Sequence, residues 1–180
     1  MKITRLDIPD IYLLDPKVFE DNRGFFYESF NLKTFHAATG TSVDFVQDNH
    51  SRSAKSVIRG LHYQLAPKGQ GKIVRVVKGS IFDVAVDIRA ESPTSGKWVG
   101  VTLSAENKKQ IWIPEGFAHG FMSLEDDTEV IYKTTEYYSP EHECSIRWND
   151  SYVAVDWPDG DYCISEKDKD ASHFSDAHKM

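Results

Sequence analysis

The stretch Arg59-Gly60-Leu61-His62-Tyr63-Gln64 sets a histidine three residues from a guanidinium. The glycine between them lets backbone come close to whatever lies there. An imidazole has an unperturbed pKa of about 6.5, so it can take and return a proton near neutral pH. A second histidine, His119, stands in Ile113-Pro114-Glu115-Gly116-Phe117-Ala118-His119-Gly120-Phe121. Taken alone, His62 reads as a core histidine bonded to a backbone carbonyl. Its neighbours change the balance, because Arg59, Gln64 and Lys72 are polar residues on segments that otherwise read as barrel wall.

Further groups suited to proton transfer or binding are scattered along the chain. Tyr132, in Val130-Ile131-Tyr132-Lys133, reads first as a strand aromatic. Asp83 lies on the polar side of an alternating strand and is a rival partner for His62. Asp168, in Ser165-Glu166-Lys167-Asp168, is from composition alone a surface charge. Tyr138 precedes Ser139-Pro140 and reads equally as a corner residue or a stacking platform. Gln47, Asn49, Arg23 and Glu28 sit at strand ends, where binding groups and solvated ones are both common.

Strands must carry these groups. Ile81-Phe82-Asp83-Val84-Ala85-Val86-Asp87-Ile88 alternates with period two, placing Phe82, Val84, Val86 and Ile88 on one face and Asp83, Ala85 and Asp87 on the other. Further strands are read at 25–30, 45–49, 57–59, 72–78, 98–103, 110–113, 120–124 and 128–135. Asp21-Asn22-Arg23-Gly24 is a turn, and Asn31 and Gly40 bracket a short helix over 31–39. Short Val-, Ile- and aromatic-rich strands separated by Gly, Pro and Asn turns predict an all-β sandwich or barrel with few helices. Residues 1–180 read as one domain with no repeat or linker, and the tail, about 169–180, as loosely ordered.

Composition narrows the partners. With a net charge of -7 over 180 residues, a broad nucleic-acid surface is not expected. An anion can still be held if the cations converge, which directs attention to Arg23, Arg59, Lys72, Arg75 and Lys167. No apolar run approaches the ~20 residues of a membrane span. The opening Met1-Lys2-Ile3-Thr4-Arg5-Leu6-Asp7 lacks the apolar block of a signal peptide, and the two cysteines, Cys144 and Cys163, suit buried thiols in a reducing compartment. The expected location is the cytoplasm.

Pro114-x-Gly116-x-x-His119 resembles the second metal-ligand motif of the cupins. The corresponding earlier stretch, His62-Tyr63-Gln64, has no second histidine, and Gln64 is a poor replacement ligand. A jelly-roll without a metal is expected.

The ordered series of motifs goes further. Phe19-x-Asp21-x-Arg23-Gly24-Phe25-Phe26-x-Glu28, Phe45-x-Gln47-Asp48-Asn49, Arg59-Gly60-Leu61-His62-Tyr63-Gln64 and Gly71-Lys72-x-Val74-Arg75 come first. They are followed by Asp83-Val84-Ala85-Val86-Asp87-Ile88-Arg89, the His119 stretch, Tyr132-Lys133, Tyr137-Tyr138-Ser139-Pro140 and Trp148-Asn149-Asp150. This set, from Phe19 to about Asp168, resembles the dTDP-4-dehydrorhamnose 3,5-epimerases; no family pattern is read beyond Asp168. The resemblance implies a double-stranded β-helix (jelly-roll, cupin-like) barrel that works without metal or organic cofactor. It implies a homodimer whose N-terminal strands cross to the partner's site. It also implies conversion of dTDP-4-dehydro-6-deoxy-D-glucose to dTDP-4-dehydro-L-rhamnose, the sister activity being inversion at C3 or C5 alone. By the same resemblance, His62 is the general base, Asp168 its orienting carboxylate, Tyr132 the acid and Lys72 the cation near the 4-keto oxygen. Arg59, His119, Gln47, Asn49, Glu143 and Lys167 are implied as sugar-nucleotide contacts, Arg23 and Glu28 as contacts from the partner, and Tyr138 as the ring stacked on thymine.

Overall fold

A computed structural model describes residues 1–177. In chain order the strands are β1 (Lys2–Arg5), β2 (Tyr12–Asp15), β3 (Val18–Asp21), β4 (Gly24–Tyr27), β5 (Gln47–Ser53), β6 (Val57–Gln64) and β7 (Lys72–Lys78). They continue with β8 (Ser80–Asp87), β9 (Trp98–Ser104), β10 (Gln110–Ile113), β11 (Phe117–Ser123), β12 (Thr128–Thr134), β13 (Glu143–Ser145) and β14 (Cys163–Ile164). Two helices, α1 (Leu32–Thr39) and α2 (Glu166–Lys169), complete the described elements.

Six strands form one sheet in the order β1-β2-β10-β7-β12-β5, and β13-β6-β11-β8-β9 form a second, with β14 beside β6. The two sheets face each other as a jelly-roll. Val74, Val76, Ile111, Ile113 and Val130 of the first meet Ile81, Ala85, Leu103, Phe117 and Phe121 of the second. Burying such side chains contributes roughly 1.5–3 kcal/mol each relative to exposure. A second layer lies behind the second sheet, where Ile58, Leu61, Val84, Val86 and Met122 pack on Val153, Trp157 and Phe174. Phe35 of α1 joins Tyr12, Leu14, Ile73 and Trp112 outside the first sheet.

The helix forms as its caps dictate. Asn31 Oδ1 accepts from the Thr34 N–H at 3.0 Å, and Gly40, at φ 72°, donates its N–H to the His36 carbonyl. Asn22 and Arg23 turn the hairpin β3–β4, whose register pairs Asp21 with Gly24 and which stands apart from both sheets.

The face of β8 that carries Asp83 is the interior of the barrel: Asp83 and Asp87 are fully buried, as is Ala85. The apolar face is buried too, because the C-terminal segment covers it. The tail is also more ordered than its composition suggests. Residues 178–180 lie outside the described residues, but Ala171 and Phe174 are buried and Ile146 forms a bridge with Ser172. The buried carboxylate of Asp150 holds this segment, accepting N–H bonds from Tyr152, Val153 and Phe174 and contacting His173 Nδ1 at 3.1 Å. Polar composition alone does not reveal that anchor.

Candidate active site

A cavity of about 550 Å³ opens between the sheets, lined among others by Arg59, His62, Lys72, His119, Tyr132, Lys167 and Asp168. Strands β6 and β11 carry its histidines, which are direct cross-strand partners. Arg59 and His62 are three apart in sequence, a spacing that regular pleating would send to opposite faces. Both reach the cavity because β6 carries an extra residue here: Phe121 pairs with Arg59 while His119 pairs with His62. Gly60 sits in this bulge at φ 134°, and a Cβ on it would stand 2.5 Å from the Gly120 Cα. The close approach of these two backbones requires glycine at 60.

His62 Nε2 meets Asp168 Oδ1 at 2.6 Å. Asp168 is delivered by α2, where Ser165 caps the turn by accepting the Asp168 N–H. The Asp168 carboxylate thereby fixes one ring nitrogen of His62 and leaves Nδ1 as the other proton site. His119 Nε2 meets Asp83 Oδ2 at 2.8 Å, so the rival carboxylate serves the second histidine rather than the first. Lys72 is buried on β7 and its Nζ donates to the His62 carbonyl at 3.3 Å. Tyr132, on β12 of the facing sheet, lines the opposite wall.

Gln47, Asn49, Tyr138 and Glu143 are not among the residues that line this cavity; they form a hydrogen-bonded string that reaches it at Lys167. Gln47 Nε2 donates to Asn49 Oδ1 at 2.9 Å, and Gln47 Oε1 accepts the Tyr138 N–H at 3.1 Å. Tyr138 Oη donates to Glu143 Oε2 at 2.7 Å, which also pairs with Lys167 Nζ at 2.6 Å. Asn49 is the cross-strand partner of Tyr132, which ties the string to the cavity wall.

Known proteins match this chain closely. The sequence profile of the family described as dTDP-4-dehydrorhamnose 3,5-epimerase matches residues 5–176. A Shigella flexneri protein of that name is 57% identical over 177 residues, 98% of this chain and 98% of its own. This chain belongs to the dTDP-4-dehydrorhamnose 3,5-epimerase family. The solved dTDP-6-deoxy-D-glucose-3,5-epimerase of Legionella pneumophila Philadelphia 1, in complex with dTDP-4-keto-L-rhamnose, has a TM-score of 0.94 at 51% identity and covers 97% of this chain and 93% of that one. A 3'-monoepimerase of Streptomyces bikiniensis in complex with dTDP-quinovose has a TM-score of 0.90 at 32% identity, over 95% of this chain and 87% of that one. The fold is thus shared by single and double epimerases.

Electrostatics suit an isomerase that moves protons. In this epimerase burial pushes the Lys72 ammonium down to about 8, against the attraction of Asp83 and Glu143. Burial raises the Tyr132 phenol, with Arg59 opposing, so it stays protonated at neutral pH. Burial alone would raise the Asp168 carboxyl, but the bond and charge of His62, with Ser165 and the Gly60 N–H, hold it below the usual range. Burial likewise acts upward on Glu143, and Lys167 and Tyr138 outweigh it.

Arg23 and Glu28 of the epimerase stand elsewhere. Arg23 pairs with Asp21 on the exposed hairpin, where a separate hollow of about 500 Å³ is lined by Phe19, Phe25 and Phe26. Glu28 accepts from Asn31 Nδ2 at 3.1 Å. Gln64, weighed as a lost metal ligand, braces the loops by donating to the Lys68 and Tyr137 carbonyls and accepting from the Ser139 N–H. Among the described residues no group of three or more His, Cys, Asp and Glu side chains could hold a metal ion. No helix among them is long and apolar enough to cross a membrane. Sequence reading missed Asp83 as the partner of His119; its signal was a carboxylate on an interior strand face that also carries Ala85. It also missed Cys163 and Ser165, which line the cavity from β14 and the turn before α2. That segment carries no pattern of its own.

Proposed function

We propose that the 3,5-epimerisation of dTDP-4-dehydro-6-deoxy-D-glucose to dTDP-4-dehydro-L-rhamnose runs in this cavity with His62 as base and Tyr132 as acid. Inverting C3 and C5 requires a proton to leave each carbon beside the ketone and another to arrive on the opposite face. The 4-keto group delocalises the resulting carbanion as an enolate, so no redox step is involved. His62 removes the proton, and Asp168 holds its tautomer and stabilises the imidazolium. Lys72 sets a fixed positive charge where negative charge develops on the 4-oxygen. Tyr132 returns a proton from the other side.

The observation that carries this reading is that His62 and Tyr132 belong to facing sheets and line one cavity with Lys72. A pure binder has no need of a base and an acid on opposed walls. Arg59 and His119 take the sugar nucleotide at the cavity, a guanidinium being suited to bidentate contact with phosphate. Gln47, Asn49, Glu143 and Lys167 hold the nucleoside end, and the half-exposed Tyr138 stacks on thymine.

The chain acts as a homodimer in this proposal. Exposed Phe19, Phe25 and Phe26 on the hairpin β3–β4 cross to the partner and carry Arg23 and Glu28 into its cavity. Residues 1–180 act as one domain, and the free thiols suit a cytoplasmic enzyme, although Cys163 is exposed and Cys144 only half-buried, against the expectation of two buried thiols. No cofactor enters the scheme, so a chelator leaves the rate unchanged.

The test is NMR of the purified protein with dTDP-4-dehydro-6-deoxyglucose in deuterium oxide. Deuterium at both C3 and C5, abolished by His62→Ala, is the expected result. Label at one carbon alone would make this a monoepimerase, and none at either would overturn catalysis on this substrate.

A further inference from the structure

Arg147 is a half-buried guanidinium without a carboxylate. Its Nε is buried and has no hydrogen-bond partner, and the ion pairs of Arg23, Arg52 and Arg89 have no counterpart at Arg147 among the described residues. That is unexpected in a chain with 28 acidic residues, and in a segment that also carries Asp150, Asp156, Asp159 and Asp161. A partly buried cation that its own chain does not neutralise is costly, and the cost falls when an external anion supplies the acceptor.

Around Arg147 lies an open hollow of about 690 Å³, a size common for small-molecule sites. Trp148 and Tyr162 form one wall as an edge-to-face pair, with ring centroids 5.0 Å apart. Both are fixed by the chain itself: the Trp148 carbonyl accepts from Trp157 Nε1 at 2.9 Å, and Tyr162 Oη donates to the Pro158 carbonyl at 3.1 Å. A second hollow of about 370 Å³ shares Trp148 and Tyr162, so the aromatic pair is reached from two sides. Lys169 adds another cation, held at 2.7 Å by the exposed Glu166 in a surface pair that an incoming anion can replace. Asn149 and Asp161 complete the rim with an exposed amide and carboxylate. Asp161 repels a bare anion but accepts from hydroxyl groups.

We propose that this hollow is a second binding site, which takes a phosphate monoester carried on a hydroxylated ring. The phosphate lies on the Arg147 guanidinium with Lys169 beside it, and the ring packs on Trp148 and Tyr162. Ring hydroxyls donate to Asp161 and Asn149. A sugar phosphate and a nucleoside phosphate share this chemistry. The site is separate from the catalytic cavity and requires nothing of the reaction there. Ile164 of β14 lies between the two and lines both, while α2 presents Asp168 to the cavity and Lys169 to the hollow.

Fluorine NMR of protein labelled with 5-fluorotryptophan reads the site, because the chain has 4 tryptophans and Trp148→Phe identifies the Trp148 signal. Adenosine 5′-monophosphate, ribose 5-phosphate and inorganic phosphate are each titrated to about 10 mM, well above the Kd of a millimolar site. The Trp148 signal should shift saturably with a ring phosphate and far less with inorganic phosphate. Equal action of both ring phosphates identifies a sugar phosphate as the ligand; action of the nucleotide alone identifies a nucleoside phosphate, with its base on the aromatic pair. Arg147→Met should weaken binding about tenfold or more, the loss of a charge-assisted hydrogen bond. Arg59→Met, which alters the catalytic cavity, should leave the Trp148 titration in place. No shift with either ring phosphate, an equal shift with inorganic phosphate, a titration unchanged in Arg147→Met or one lost in Arg59→Met would each overturn the proposal. If Arg147→Met does not fold, Lys169→Gln decides: weaker binding supports the site, and wild-type affinity overturns it.

Discussion

His62 and His119 stand directly opposite each other across the β6–β11 ladder, and each ends on a carboxylate of its own, 2.6 Å away at Asp168 and 2.8 Å away at Asp83. The two pairs differ in what holds them. Asp83 belongs to a central strand, whereas Asp168 arrives on a four-residue helix from the C-terminal segment. His62, the proposed base, therefore depends on an element that packs onto the barrel late in the chain, and several expectations follow from that dependence.

Asp168→Asn keeps the size of the side chain but not its charge. Turnover should fall about 10²–10⁴-fold, a range typical for loss of acid–base function through a wrong tautomer. Stability should change with it. Because the folded carboxyl is held below its unfolded value, its contribution is present above about pH 4 and is lost as pH falls through the folded pKa. Urea midpoints at pH 6 and pH 3 check this: the drop between them should be smaller in Asp168→Asn than in the wild type.

Tyr132→Phe removes the proposed acid and leaves the base. Deuterium from solvent should still enter the sugar, because His62 can return what it removes on its own face. Inversion should slow far more than exchange does. Equal losses in exchange and inversion, read by NMR on the same samples, would remove Tyr132 from the role of opposite-face donor.

Gly60→Ala tests the bulge. The added Cβ is strained at φ 134° and meets the Gly120 Cα at 2.5 Å. A loss of about 2 kcal/mol or more in chemical unfolding is expected, together with loss of activity as Arg59 and His62 cease to share the cavity. Unchanged activity in Gly60→Ala would show that the bulge is not what presents them.

Asp150→Ala tests the anchor of the tail. It strips the acceptor from the N–H groups of Tyr152, Val153 and Phe174, a loss of about 2–4 kcal/mol for buried donors left unpaired. Protease cleavage within 165–177 should quicken, and activity should fall because α2 carries Asp168. Limited proteolysis followed by mass spectrometry locates the cuts. Protection equal to the wild type would mean that Phe174 and Ala171 hold the segment unaided.

Much of this was legible from the chain because the signals are local. Asn31 and Gly40 bracket α1 through hydrogen bonds spanning three and four residues. Asn22-Arg23 turns its hairpin where Gly24 allows it, and the period-two pattern of β8 survives as written. Family motifs marked His62, Lys72, Tyr132 and His119, and the fold brings them to one cavity. What the chain could not disclose is non-local. The family resemblance named Asp168 for His62, but residue types alone left Asp83 as its rival, 21 positions away against 106; and a three-residue spacing becomes a shared face only because β6 gains a residue against β11. Nor does composition tell which face of β8 lies inside, since both are buried once the C-terminal segment covers the second sheet. The sequence alone determined the residue types, the turns and the strand periods, which depend on neighbours along the chain. Tertiary structure decided which carboxylate each histidine meets, because that rests on strand order, register and the seat of the tail.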